Sequence, residues 1–114
     1  MKVKVVRQCR WDNPGKFPTF EKGTQVLIVQ EEDAEFLGWY VCEILGQETY
    51  VPIAFVCDGK LTRDYNPTEL TQETGDILEV QEIVNAWLFA TNVAGDAGWV
   101  PAECVVSAAV GGAR

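Results

Sequence analysis

The sequence predicts an all-β chain that contains one small module twice, and three observations carry that expectation. Short runs rich in Val, Ile, Leu and aromatic residues are bounded by glycine, proline and acidic turns. The motif Gly98-Trp99-Val100-Pro101 has a shorter echo, Tyr50-Val51-Pro52, in the first half. Each motif also lies downstream of a tryptophan, Trp87 and Trp39 respectively.

The strands follow in order. Val3, Val5 and Cys9 mark an opening strand, alternating with Lys4, Arg7 and Arg10. Trp11-Asp12-Asn13-Pro14-Gly15-Lys16-Phe17-Pro18 is loop, because its prolines exclude a central strand or a helix. Glu21-Lys22-Gly23-Thr24 is a tighter turn, and Gln25 to Gln30 is a short strand of the buried kind. Beyond the acidic loop Glu31-Glu32-Asp33-Ala34-Glu35, a strand from Trp39 to Leu45 meets Glu48 to Pro52 across Gly46-Gln47, where a leading glycine suits a type II′ turn. Phe55-Val56 closes the first copy, and Cys57-Asp58-Gly59-Lys60 reads as the link to the second.

The second half repeats this order. Cys9 to Thr24 lies over Leu61 to Asp76 without a gap at an offset of 52, which matches Thr19 with Thr71, Glu21 with Glu73 and Gly23 with Gly75. The offset becomes 48 at Trp39 and Trp87, then 49 at Pro52 and Pro101 and at Val56 and Val105. Its changes fall in loops, where chain length is tolerated.

The chain's 114 residues would thus divide into two units of roughly fifty-five, each near the lower limit for burying its own core. At 47% hydrophobic and 23% charged the composition is globular, and no apolar run is long enough for a membrane helix. A net charge of −8 disfavours nucleic acid, whose binding draws on Lys and Arg, and favours a basic or neutral partner. The basic start Met1-Lys2-Val3-Lys4 has no long apolar run behind it, so the expectation is a cytoplasmic protein without a secretory signal. Cys9, Cys42, Cys57 and Cys104 lack C-x-x-C spacing and the chain has no histidine, so reduced thiols are expected and neither metal nor cofactor is. A disulfide stays open at this point.

Leu61-Thr62-Arg63-Asp64-Tyr65, Glu69-Leu70-Thr71, Gly75-Asp76, Trp87, Gly98-Trp99-Val100-Pro101 and Val105 follow, in order, the landmarks of an SH3 domain. The second half resembles that family from end to end, and the first half is similar through Asp12, Gly23, Trp39, Tyr50-Val51-Pro52 and Val56. The resemblance implies two tandem SH3-like five-stranded small barrels, at residues 1–57 and 58–107, with 108–114 a loose tail. It also implies a groove for extended, often proline-rich peptides, whose preformed polyproline helix loses little entropy against flat aromatic faces.

Carried over position by position, the groove comprises Trp11, Trp39, Pro52 and Phe55 in the first copy and Tyr65, Trp87 and Pro101 in the second. Arg63 and Cys104 replace two aromatics there, so the first copy holds the fuller set. Glu31, Glu32, Asp33 and Glu35 sit where the family often places carboxylates that attract a basic ligand residue. Each feature also has a plainer explanation: half-buried tryptophans covering a barrel edge, a solvated acidic loop, and prolines that end strands.

Catalysis finds no support in spacing. There is no histidine, no glycine-rich phosphate loop, and Ser107 has no neighbouring base. Two functions follow: a non-catalytic module that binds a proline-rich or basic protein segment, or an assembly part whose aromatic faces are buried between barrels or protomers. Exposure of Trp11, Trp39, Trp87 and Trp99 separates them. A third function, cell-wall binding of the bacterial SH3-like kind, would require export.

Overall fold

The computed structural model describes residues 1–7, 16–31 and 37–108. They form ten strands and two single 3₁₀ turns, with no α-helix among the described residues. The chain divides into two compact units, but not at the Cys57–Lys60 link. One unit is Lys16–Pro67, and the other joins Met1–Gly15 to Thr68–Arg114. The contact division is discontinuous and does not fall at 57/58.

In the discontinuous unit, β1 (Lys2–Val5) lies between β10 (Val105–Ser107) and β7 (Ile77–Val84), and the sheet continues through β8 (Trp87–Thr91) to β9 (Ala97–Pro101). The strand pairs are antiparallel, with Val3 opposite both Leu78 and Ser107. Alternation in Lys2-Val3-Lys4-Val5 turns both valines into a core with Leu70, Leu78, Leu88, Ala90 and Val100, and leaves both lysines in water. The sheet is open: β10 and β9 are its edges and do not pair. Five strands are thus present as expected, without the ladder that would close a barrel.

Gly98 has a steric reason in this unit. A Cβ there would lie 2.6 Å from the Leu70 backbone nitrogen, because the Thr68–Leu70 backbone runs against β9. The Trp99 N–H donates to the Thr68 carbonyl at 2.9 Å and the Leu70 N–H donates to the Trp99 carbonyl at 3.0 Å. A ladder this tight admits only hydrogen at that Cα.

In the Lys16–Pro67 unit, β2 (Leu27–Gln30), β3 (Trp39–Ile44) and β4 (Gln47–Pro52) form an antiparallel sheet. The β3–β4 turn is Leu45-Gly46, with φ of 50° and 80°. It is a type I′ turn one residue earlier than expected, since both central residues have positive φ and the strand twist selects that form. Leu27 and Val29 are exposed, contrary to a buried strand, because β2 is a sheet edge where only Val26 and Ile28 turn inward.

The expected link is itself a hairpin. β5 (Val56–Cys57) and β6 (Lys60–Leu61) pair across Asp58-Gly59, whose φ values of 53° and 73° also fit type I′. This hairpin lays the start of the second copy along the end of the first.

Equivalent backbone bonds then recur in both units. The Gly23 N–H donates to the Leu61 carbonyl at 2.8 Å, the Leu61 N–H to Thr24 at 2.9 Å, and the Thr62 N–H to Phe55 at 2.8 Å. In the other unit the Gly75 N–H donates to Val5 at 2.7 Å, the Val5 N–H to Asp76 at 2.9 Å, and the Val6 N–H to Cys104 at 2.8 Å. Val5 and Leu61 therefore make equivalent sets of backbone bonds, one in each unit. They stand 56 positions apart, so the ungapped match of Cys9 with Leu61 at 52 is four residues out at this strand. The loop between first strand and glycine turn absorbs the difference.

Truncation tests this assignment. Val5→Ala removes fully buried methyl groups and should cost about 2 kcal/mol. By amide exchange the loss should fall on Leu78, Val80 and Val100, with the amides of Gly23 and Leu61 unchanged. Equal acceleration in both sets would contradict the assignment of β1 to one unit.

Candidate functional site

The aromatic residues expected in grooves lie in both units, with opposite exposure. In the Lys16–Pro67 unit, Trp39 opens β3 directly opposite Pro52 at the end of β4, and Phe55 follows in the 3₁₀ turn Ile53–Phe55. Tyr65 joins them from beyond β6. Its backbone exchanges two bonds with Phe20, both 2.8 Å, and its hydroxyl donates to the Tyr50 carbonyl at 2.6 Å. The Tyr65 ring meets Phe55 edge-on, with centroids 5.6 Å apart and planes at 80°. The Arg63 guanidinium stands 4.3 Å from the centroid of the same Phe55 ring, and the Asp64 carboxylate accepts the Lys22 N–H at 2.8 Å.

Thus Arg63 and Tyr65 complete an aromatic set with Trp39, Pro52 and Phe55 inside the Lys16–Pro67 unit. The set is closed to solvent. Trp39 and Phe55 are each 5% exposed, Tyr65 3%, and Pro52 is fully buried. A proline ring needs an open aromatic face, and these four offer none.

The discontinuous unit presents a different surface. Leu88, Ala90 and Val100 point into the core, so period-two alternation places Trp87 and Phe89 of β8, with Trp99 and Pro101 of β9, on the opposite face. Trp87 is paired with Pro101 and Phe89 with Trp99, and Glu82 of β7 is opposite Phe89. The Phe89 and Trp99 rings meet at 5.2 Å and 61°. Trp99 and Pro101 are buried, whereas Trp87, Phe89 and Glu82 remain partly exposed. Phe89 was not among the expected groove residues, although its position two residues beyond Trp87 puts both on one face.

Of the other expected residues, Trp11, Glu32, Asp33 and Glu35 lie outside the described residues, and Glu31 is exposed just beyond β2. By the Val5–Leu61 equivalence, Arg7 corresponds to Arg63. Arg7 forms an exposed ion pair with Glu103 at 2.9 Å, of the kind that contributes little to stability.

Two of the cysteines match the expected reduced state and one does not. Cys42 and Cys57 are free thiols, buried and exposed respectively, but Cys104 is disulfide-bonded. Burial pushes the Cys42 thiol up to about 12, because the thiolate would be desolvated. Among the described residues no group of three or more His, Cys, Asp or Glu side chains could hold a metal ion.

Residues 59–107 match the variant SH3 domain family. Its first segment, through Pro67, belongs to the compact Lys16–Pro67 unit and the remainder to the discontinuous unit. No curated protein and no solved structure matched the chain.

Two measurements check this site. Tyr65→Phe leaves the Tyr50 carbonyl without its donor and should cost about 1 kcal/mol while keeping the ring contact with Phe55; denaturant unfolding reads the loss. For Cys42, the raised folded pKa means its contribution to stability is complete below the unfolded thiol value, about 8.5. That contribution falls as pH rises toward about 12. At about pH 8 a thiol reagent should label Cys57 quickly and Cys42 only after unfolding.

Proposed function

We propose that the protein is a non-catalytic interaction module made of two SH3-like units, each completed by the first strand of the other copy. The variant SH3 domain at residues 59–107 supports the class, since such domains commonly mediate protein interaction. The recurrence of the same first-strand bonds at Val5 and Leu61 supports a second unit of the same kind.

The observation that carries the assignment of the surface is the partly exposed pair Trp87 and Phe89 on the non-core face of β8, beside Pro101 and Glu82. Flat aromatic faces accept a proline-rich extended segment, and the carboxylate favours a basic residue next to it. The burial of Trp39, Pro52, Phe55 and Tyr65 favours a structural role for the other aromatic set. This reverses the ranking expected from aromatic content alone, which put the better groove in the first copy. The disulfide at Cys104 favours an oxidising compartment over the cytoplasm.

Titration with a synthetic proline-rich, arginine-bearing peptide tests the proposal. Trp87→Ala should weaken binding about tenfold, equivalent to about 1.4 kcal/mol, with little change in unfolding midpoint. Trp39→Ala should instead cost about 3 kcal/mol of stability. Equal affinity for the Trp87→Ala variant and the parent would rule out this surface.

A further inference from the structure

We propose that the Asp58-Gly59 turn is a topological selector: its two-residue length commits each copy's first strand to the other copy, and so decides which aromatic set receives Arg63 and Tyr65. The proposal rests on the reading of both copies as SH3-like, and adds what fixes their connectivity.

Cys57 and Lys60 are direct cross-strand partners, as are Val56 and Leu61. With only Asp58 and Gly59 between the strands, β6 can lie nowhere but antiparallel to β5. Asp-Gly is among the sequences that best adopt the type I′ geometry seen here, with both φ values positive. Once β6 occupies the edge of β5, the first copy's own opening strand has no place beside it. That strand, β1, pairs with β7 and β10 instead.

The two first strands are interchangeable in backbone terms. Val5 and Leu61 make equivalent bonds to Asp76 and Thr24, and accept equivalent bonds from Gly75 and Gly23. Both are also buried aliphatic residues. The sequence of the second copy is continuous through the family match, 59–107, and so contains a first strand of its own in family order. Self-closure would join more local segments: Leu61 is much nearer to Gly75 in sequence than Val5 is, and local contacts require less loop closure. The short turn forbids that arrangement, because it holds Lys60 against Cys57.

The consequence reaches the aromatic sets. In the exchanged arrangement Tyr65 packs on Phe55 and Arg63 covers the same ring. In the self-closed arrangement both residues would leave Phe55 and join the unit that contains Trp87.

The experiment uses the full chain with a Gly/Ser insertion of about eight residues between Asp58 and Gly59, long enough to free the two strands from each other. Cross-strand nuclear Overhauser contacts read the pairing. The parent should show Val5 with Val105 and Val56 with Leu61; the insertion variant should lose both and gain Leu61 with Val105 and Val5 with Val56. Asp58→Asn, which keeps a type I′ sequence, should retain the parent pattern. An insertion variant that keeps the parent pairs, or shows neither set, overturns the proposal. The contacts are read without a ligand, so a failed peptide titration bears on the proposed function and not on this result.

Discussion

The pairing of Leu61 with Val56 beside the two-residue turn Asp58-Gly59 is the constraint on which the rest of this structure depends. A type I′ turn matches the right-handed twist of strands and leaves no slack. The backbone edge of β5 is therefore taken by the strand that follows it immediately in the chain. The divided unit, the sheet order with β1 between β7 and β10, and the meeting of Tyr65 with Phe55 all accord with that occupancy.

The two units meet the same backbone requirements with different side chains, and that difference shows in which rings are buried. Where β8 and β9 pair Phe89 with Trp99, β3 and β4 pair Val41 with Tyr50. The Tyr50 carbonyl takes the Tyr65 hydroxyl, and the edge of Tyr65 covers Phe55. Aromatic content alone is thus a poor guide to a contact surface. An aromatic ring contributes to binding through the face it leaves open, and once packed it contributes to stability instead.

Much of the architecture was legible in the residues. The strands around Trp39 and Trp87, the glycine turns at Gly23 and Gly75, and the alternation of Val3 and Val5 all have local causes. Gly98 was visible as part of a motif, but its reason, the approach of the Leu70 backbone, comes from residues distant in sequence. The exchange was hidden for a comparable reason. Asp58-Gly59 is a hairpin signal, but its place between two similar stretches suits a link equally well, and β5 and β6 are each only two residues long. Trp87 was expected in a groove, whereas Phe89 required its strand register to place it on the same face.

By itself the sequence determined the all-β class, the positions of most turns, and which strands carry the aromatic and proline residues. These follow from period-two alternation, turn chemistry and motif spacing, which act over a few residues. Only the tertiary structure decided which first strand completes which sheet and which aromatic residues stay partly open. Backbone hydrogen bonds at Val5 and Leu61 are indifferent to the copy that supplies them. A choice between equivalent strands is made by chain connection and packing, not by local preference.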